Sequence, residues 1–98
     1  MPKPRYSSSA RADVEAIRDF SLERFGEAVA AAYVIDLQQT VHAIGARPLA
    51  GRDDGDLASG MRSVRCRSHR IFYQIDGGPV VIVRILHHAQ DAERALGQ

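Results

Sequence analysis

Apolar residues recur every three or four positions in the first half of this chain and every two in the second half, so helices precede strands. Ala10, Val14, Ile17 and Ser21 share one helical face, with Phe20 at its edge. Ser7, Ser8 and Ser9 stand before them, where an N-cap belongs, and Asp13 and Glu15 fall in the early turns that the helix dipole favours for acids. Gly26 breaks the pattern. Val29, Tyr33, Leu37, Val41 and Ile44 then predict a second, longer helix over residues 27–43, closed by Gly45 and Pro48. The two helices make a hairpin with one apolar seam.

Residues 48–60, with Gly51, Gly55 and three aspartates, read as a loop crossing to the sheet, anchored by Leu49 and Leu57. Three strands are expected after it, over residues 61–66, 69–75 and 80–87, the last two joined by a Gly77-Gly78-Pro79 turn. In the middle one Ile71, Tyr73 and Ile75 alternate with Phe72 and Gln74, whereas the last is apolar on both faces, as a doubly covered strand is. Residues 5–7 fit a further short edge strand, and residues 91–96 fit one helical turn. The expected class is α+β: an N-terminal helical hairpin packed on a small antiparallel sheet, one domain over residues 1–98.

Composition narrows the setting. The chain is 45% hydrophobic and 26% charged, an ordinary soluble globular balance, with no apolar run near the ~20 residues of a membrane span. The N-terminus lacks the apolar stretch of a secretory signal, and the one cysteine, Cys66, excludes an internal disulfide, so a cytoplasmic protein is expected. Net charge is only +1, but the acids crowd the first half, while residues 61–88 carry Arg62, Arg65, Arg67, Arg70 and Arg84 against Asp76 alone. The second half should therefore present a basic surface.

Few catalytic patterns fit. His87 and His88 are adjacent, so on a strand they should face opposite ways and not clasp one metal ion. The paired glycines sit in a hairpin rather than before a helix, as a phosphate loop requires, and Cys66 inside a strand reads as a small buried hydrophobe. No cofactor is implied. One arrangement could cut RNA: Arg65, Arg67, Arg70 and Arg84 holding a phosphate, His87 or His88 exchanging a proton, and Tyr73 assisting. Strand parity places Arg84 with Ile82, Leu86 and His88, and His87 with Val81, Val83 and Ile85.

An ordered series of short matches nearly spans the chain, from about Tyr6 to Leu96. It comprises residues 12–17 (ADVEAI), 23–26 (ERFG), Ala32-Tyr33, 60–63 (GMRS), 68–73 (SHRIFY) and 83–87 (VRILH). In these words the chain resembles the ParE branch of the RelE/ParE toxin superfamily. That resemblance implies two helices against a curved antiparallel sheet, and the toxin half of a bacterial type II toxin-antitoxin module. It implies a non-enzymatic inhibitor of DNA gyrase, neutralised by a ParD-like antitoxin. The antitoxin's ribbon-helix-helix region would bind operator DNA, the toxin itself touching neither operator nor membrane. Arg65, Arg67, Arg70, Arg84, His87 and His88 are the candidates for contact with target or antitoxin, with Arg84 foremost unless it pairs with Asp91 or Glu93. Relatives on the RelE side are ribosome-dependent mRNA endonucleases, and that activity is one alternative; a degenerate, non-toxic antitoxin-binding module is another. The chain holds a single lysine, Lys3, against the strongly basic character of the ribosome-dependent members. It also has Phe25 where tryptophan is usual, and His88-Ala89-Gln90-Asp91 where a more basic tail is frequent.

Overall fold

The computed structural model describes residues 3–75 and 77–97; Asp76, the lone acid expected in the basic half, lies outside them. Chain order is β1 (Arg5–Tyr6), α1 (Ser8–Phe25), α2 (Glu27–Ala46), a 3-10 turn at Pro48–Ala50, β2 (Arg52–Asp53), β3 (Met61–Cys66), β4 (His69–Gln74), β5 (Val81–His87) and α3 (Ala92–Leu96). Ser7 caps α1, its Oγ accepting from the Ala10 amide at 2.9 Å. Gly26 alone joins the two long helices, with φ at 88°, a conformation glycine adopts without penalty. Among the described residues no helix is long and apolar enough to cross a membrane.

The sheet runs β1-β5-β4-β3-β2, antiparallel from β5 to β2. The short edge strand expected at residues 5–7 is β1, but it pairs with β5 in parallel and makes the sheet mixed, and β2 adds an unexpected two-residue strand at the other edge. Beyond β1, the outer side of β5 is occupied by α1: the Ser7 amide donates to Ile82 O, Ser7 Oγ donates to Val83 O, and the Ile85 amide donates to Asp13 Oδ2.

A β-bulge corrects the expected strand parity. Tyr73 pairs with Ile82 but Phe72 pairs with Arg84, which leaves Val83 as an extra residue. Ile82 and Ile85 therefore both reach the helix-covered core, while Arg84 and Leu86 stay on the other face. The main core packs Ala10, Ile17, Leu37, Val41 and Ile44 of the helices against Cys66, Ile71, Tyr73, Ile82 and Ile85 of the sheet. A second cluster on the opposite face, Met61, Phe72 and Leu86, lies under Leu57, Ala58 and the apolar side of α3. Ala92, Ala95 and Leu96 are half-buried against this cluster, and that apolar contact docks the five-residue α3 on the sheet.

The crossing loop is held differently from expectation. Leu57 does pack inward, but Leu49 is 71% exposed and anchors nothing. Polar contacts do that work instead. Tyr73 is fully buried, and its hydroxyl donates to Pro48 O (2.7 Å) while accepting from the Gly51 amide (3.1 Å). Arg62 adds bonds to Gly51 O (2.8 Å) and Leu49 O (3.2 Å).

Arg84 meets Asp13 of α1 rather than Asp91 or Glu93 of the tail. Its Nε and Nη2 donate to the two Asp13 oxygens at 2.8 and 2.9 Å, and this bidentate bond holds the guanidinium above its ordinary pKa. Side chains on both sides are largely out of water, with 27% and 14% exposed. Asp13→Ala removes the acceptor of both the guanidinium and the Ile85 amide, and should cost about 3 kcal/mol. Arg84→Ala, which leaves Asp13 bonded to that amide, should cost less. Thermal unfolding of the two variants checks the order, and equal losses would contradict it.

Candidate functional site

Two concavities flank the end of the sheet where β4 begins and β5 finishes. The larger, about 740 Å3, runs between the helical hairpin and the sheet. Ile17, Phe20, Phe25 and Val29 supply its apolar wall, and Tyr33, Arg67 and His69 its far rim. Phe20 and Phe25 are 56% and 63% exposed, an unusual state for aromatic side chains so close together. The smaller, about 300 Å3, opens on the other face, over Arg65, Arg70 and His88. His69, His87 and Gln90 line both.

The rim of the groove is built by the β3–β4 turn. Arg67 sits at φ 54°, a left-handed conformation that costs a residue with a Cβ about 1–2 kcal/mol. Its Nε donates to Asp36 Oδ2 at 2.6 Å and its guanidinium lies 4.9 Å from the Tyr33 ring centre, contacts that offset that strain. The Tyr33 hydroxyl accepts from the Ser68 amide (3.3 Å) and shares a second hydrogen bond with His69 Nδ1 (2.6 Å), which ties the histidine ring to the turn. Aromatic contacts continue from there: the His69 and His87 rings meet edge to face at 5.3 Å, and the His87 and His88 rings lie 4.2 Å apart.

Burial pushes the His69 pKa below its ordinary value, and the neighbouring His87 and His88 push the same way against the opposing pull of Asp13. A depressed histidine contributes stability in full above pH ~6.5, and loses it as pH falls toward the folded-state pKa, because the unfolded chain then binds more protons. His69→Gln should therefore flatten part of the fall in melting temperature between about pH 7.5 and 5.5. Identical slopes in the two proteins would show that His69 carries none of it.

The family model described as the ParE toxin of the type II toxin-antitoxin system parDE matches residues 5–92. The chain belongs to the ParE toxin family. It is 38% identical over 93 residues to Toxin ParE1 of Caulobacter vibrioides, covering 95% of this chain and 96% of that one. Toxin ParE1 of Mycobacterium tuberculosis (strain H37Rv) is 34% identical over 91 residues, covering 92% and 93%. The fold matches a structure titled chromosomal ParDE TA system from P. aeruginosa, with a TM-score of 0.76 at 21% identity over 89% of this chain and 96% of that one. The expected α+β architecture is thus the family's.

In this ParE chain the arginines expected to act together are dispersed. Arg84 is tied to Asp13 and Arg67 to Asp36, and Arg62 is spent on the crossing loop. Arg65 and Arg70 face each other across β3 and β4 on the surface away from the helical hairpin. His87 and His88 were expected to diverge, but β5 ends at His87, and the chain turns so that the His88 amide donates to Ser68 O at 2.9 Å. Tyr73, assigned an assisting role in RNA cleavage, is sealed in the core and bonded to the loop. Sequence reasoning passed over His69 and the aromatic wall. Phe20 at the edge of its helical face, with Val29 and Tyr33 one turn apart, was the available signal.

Proposed function

We propose that this ParE-family chain inhibits DNA gyrase without itself being an enzyme, and that a ParD-like antitoxin neutralises it by laying an amphipathic helix in the apolar groove. The observation carrying the antitoxin half is the groove: exposed Phe20, Phe25 and Val29 form a continuous apolar wall, which a helix with apolar residues at i, i+4 and i+7 would cover. The ribbon-helix-helix part of that antitoxin would carry operator binding. The gyrase half rests on family membership, since ParE members typically act there, and the relatives from Caulobacter and Mycobacterium carry the name toxin. Arg65, Arg70, His87 and His88 are the accessible candidates for the target. Action would be cytoplasmic, by one domain over residues 1–98, without a cofactor or membrane.

The mRNA endonuclease reading retains one favourable observation, the proximity of His87 and His88 to Arg65 and Arg70 around one cavity. Burial of Tyr73 and engagement of Arg67 and Arg84 take away three of the groups it used. The gyrase reading is tested with purified chain, gyrase and plasmid DNA, scored for supercoiling and for linear DNA released by detergent and protease. Trapped linear product is the expected result. Undisturbed supercoiling at large excess sinks the gyrase reading, and codon-specific cuts in ribosome-bound mRNA would replace it.

A further inference from the structure

Of the four closely spaced arginines only Arg67 forms an ion pair among the described residues, and Arg62 is spent on the crossing loop, which leaves Arg65, whose Nε donates to Arg67 O at 3.2 Å, and Arg70. They stand directly opposite each other in the β3–β4 register, where like charges repel. Arg52 joins them at the rim of the 300 Å3 cavity, with His87 and His88 on its far side. Among the described residues the acid that acts on Arg70 is Asp54, 7% exposed, and its oxygens are committed: Oδ1 accepts from Arg52 Nε at 2.9 Å, and Oδ2 accepts from Ser63 Oγ. Arg70 reaches that acid only through Ser63, donating to its Oγ at 3.1 Å. Three guanidinium groups against one carboxylate leave a local charge of +2. Burial, and then Arg52 and Arg65, pull the Arg70 pKa down against Asp54, so the excess charge is felt within the cluster.

We infer that this cavity is a binding site for the phosphate group of a nucleotide, with Arg65 and Arg70 as its principal ligands. Guanidinium forks match the oxygens of a tetrahedral oxyanion, and a phosphate supplies the two negative charges the cluster lacks. The floor is Phe72 and Leu86, each 2% exposed, so the anion would sit against an apolar surface that strengthens every charge-assisted bond. The volume lies at the lower end of ordinary small-molecule sites, about 300–1,000 Å3. It suits one nucleotide, or one phosphate of a strand entering from outside.

Calorimetric titration of the full chain at low salt tests this, with sodium pyrophosphate as first probe. Saturable binding is expected, with amide shifts confined to the cavity. Arg65→Gln, on an exposed side chain, should weaken it about tenfold at unchanged melting temperature, and adding Arg70→Gln should weaken it about tenfold more. Thymidine 5′-monophosphate and a thymidine hexanucleotide then separate the sources. Equal affinity for the monophosphate and the hexanucleotide identifies a free nucleotide, and a strong gain with the hexanucleotide identifies a strand. No saturation at millimolar pyrophosphate overturns the site, as does full affinity in the double variant. A hexaglutamate peptide binding as tightly as pyrophosphate also overturns it, and makes the patch a peptide site. Neither antitoxin nor gyrase enters this titration, so its failure leaves the gyrase reading intact, and an inert gyrase assay leaves this site intact.

Discussion

Replacing Phe20 and Phe25 together by aspartate will leave the chain folded and weaken its complex with an antitoxin by about a thousandfold. Both rings are more than half exposed, so folding buries little of them and their loss takes little from the core. A partner helix in the groove, by contrast, would bury both in the apolar wall they share with Ile17 and Val29. Truncating a central aromatic anchor costs a complex about 2 kcal/mol or more, and an aspartate adds the penalty of a desolvated charge. Leu22→Asp and Ile35→Asp, on a separate exposed patch of the hairpin, make the control. Affinity measured by titration, alongside melting curves, decides the matter. If the control pair weakens binding and the aromatic pair does not, the antitoxin lies on the other side of the hairpin.

The largest effect on stability is expected at Tyr73. Tyr73→Ala removes a fully buried ring from β4, the central strand of the sheet, and should cost about 4–5 kcal/mol, much of the roughly 5–15 kcal/mol that holds a domain together. Tyr73→Phe keeps the ring and strands the Gly51 amide, for about 1–2 kcal/mol. Burial raises the tyrosine pKa against the opposing bond from Gly51, so the hydroxyl keeps its proton for Pro48 O. Space is tight there: a Cβ on Gly51 would stand 2.1 Å from that oxygen, so Gly51→Ala must push the loop off the ring. Denaturant midpoints rank the variants. Equal losses for the alanine and phenylalanine changes would mean that the hydroxyl, not ring packing, holds the loop.

Periodicity in the sequence was enough for the long elements. Ile17, Leu37, Val41 and Ile44 recur as a helical seam, Ile71 and Tyr73 alternate as a strand, and all of them enter the core. The bulge at Val83 left no trace because β5 is apolar on both faces, so a shift of one residue moves one hydrophobe into another's place. Leu49 misled for a related reason: hydrophobicity predicts burial, whereas the loop is fixed by a tyrosine hydroxyl 22 residues from its partner Gly51. Arg84 and Asp13 are 71 residues apart, and nothing local to either predicts their pairing. The candidate site was legible by residue type and not by arrangement. Arginines close in sequence alternate between faces and are claimed by different partners, and only folding shows that Arg65 and Arg70 are left over.

A backbone edge closed by its own chain governs how this molecule meets copies of itself. Along β5 the outward-facing groups are taken up by β1, Ser7 and Asp13. At the opposite border β2 is two residues long, and both of them, Arg52 and Asp53, are charged and exposed. Neither border offers a long, flat, uncharged strand on which another copy could template itself. Aggregation by edge-to-edge strand pairing is therefore disfavoured, and a toxin deprived of its antitoxin should stay dispersed at concentrations where an open-edged sheet would begin to form fibrils.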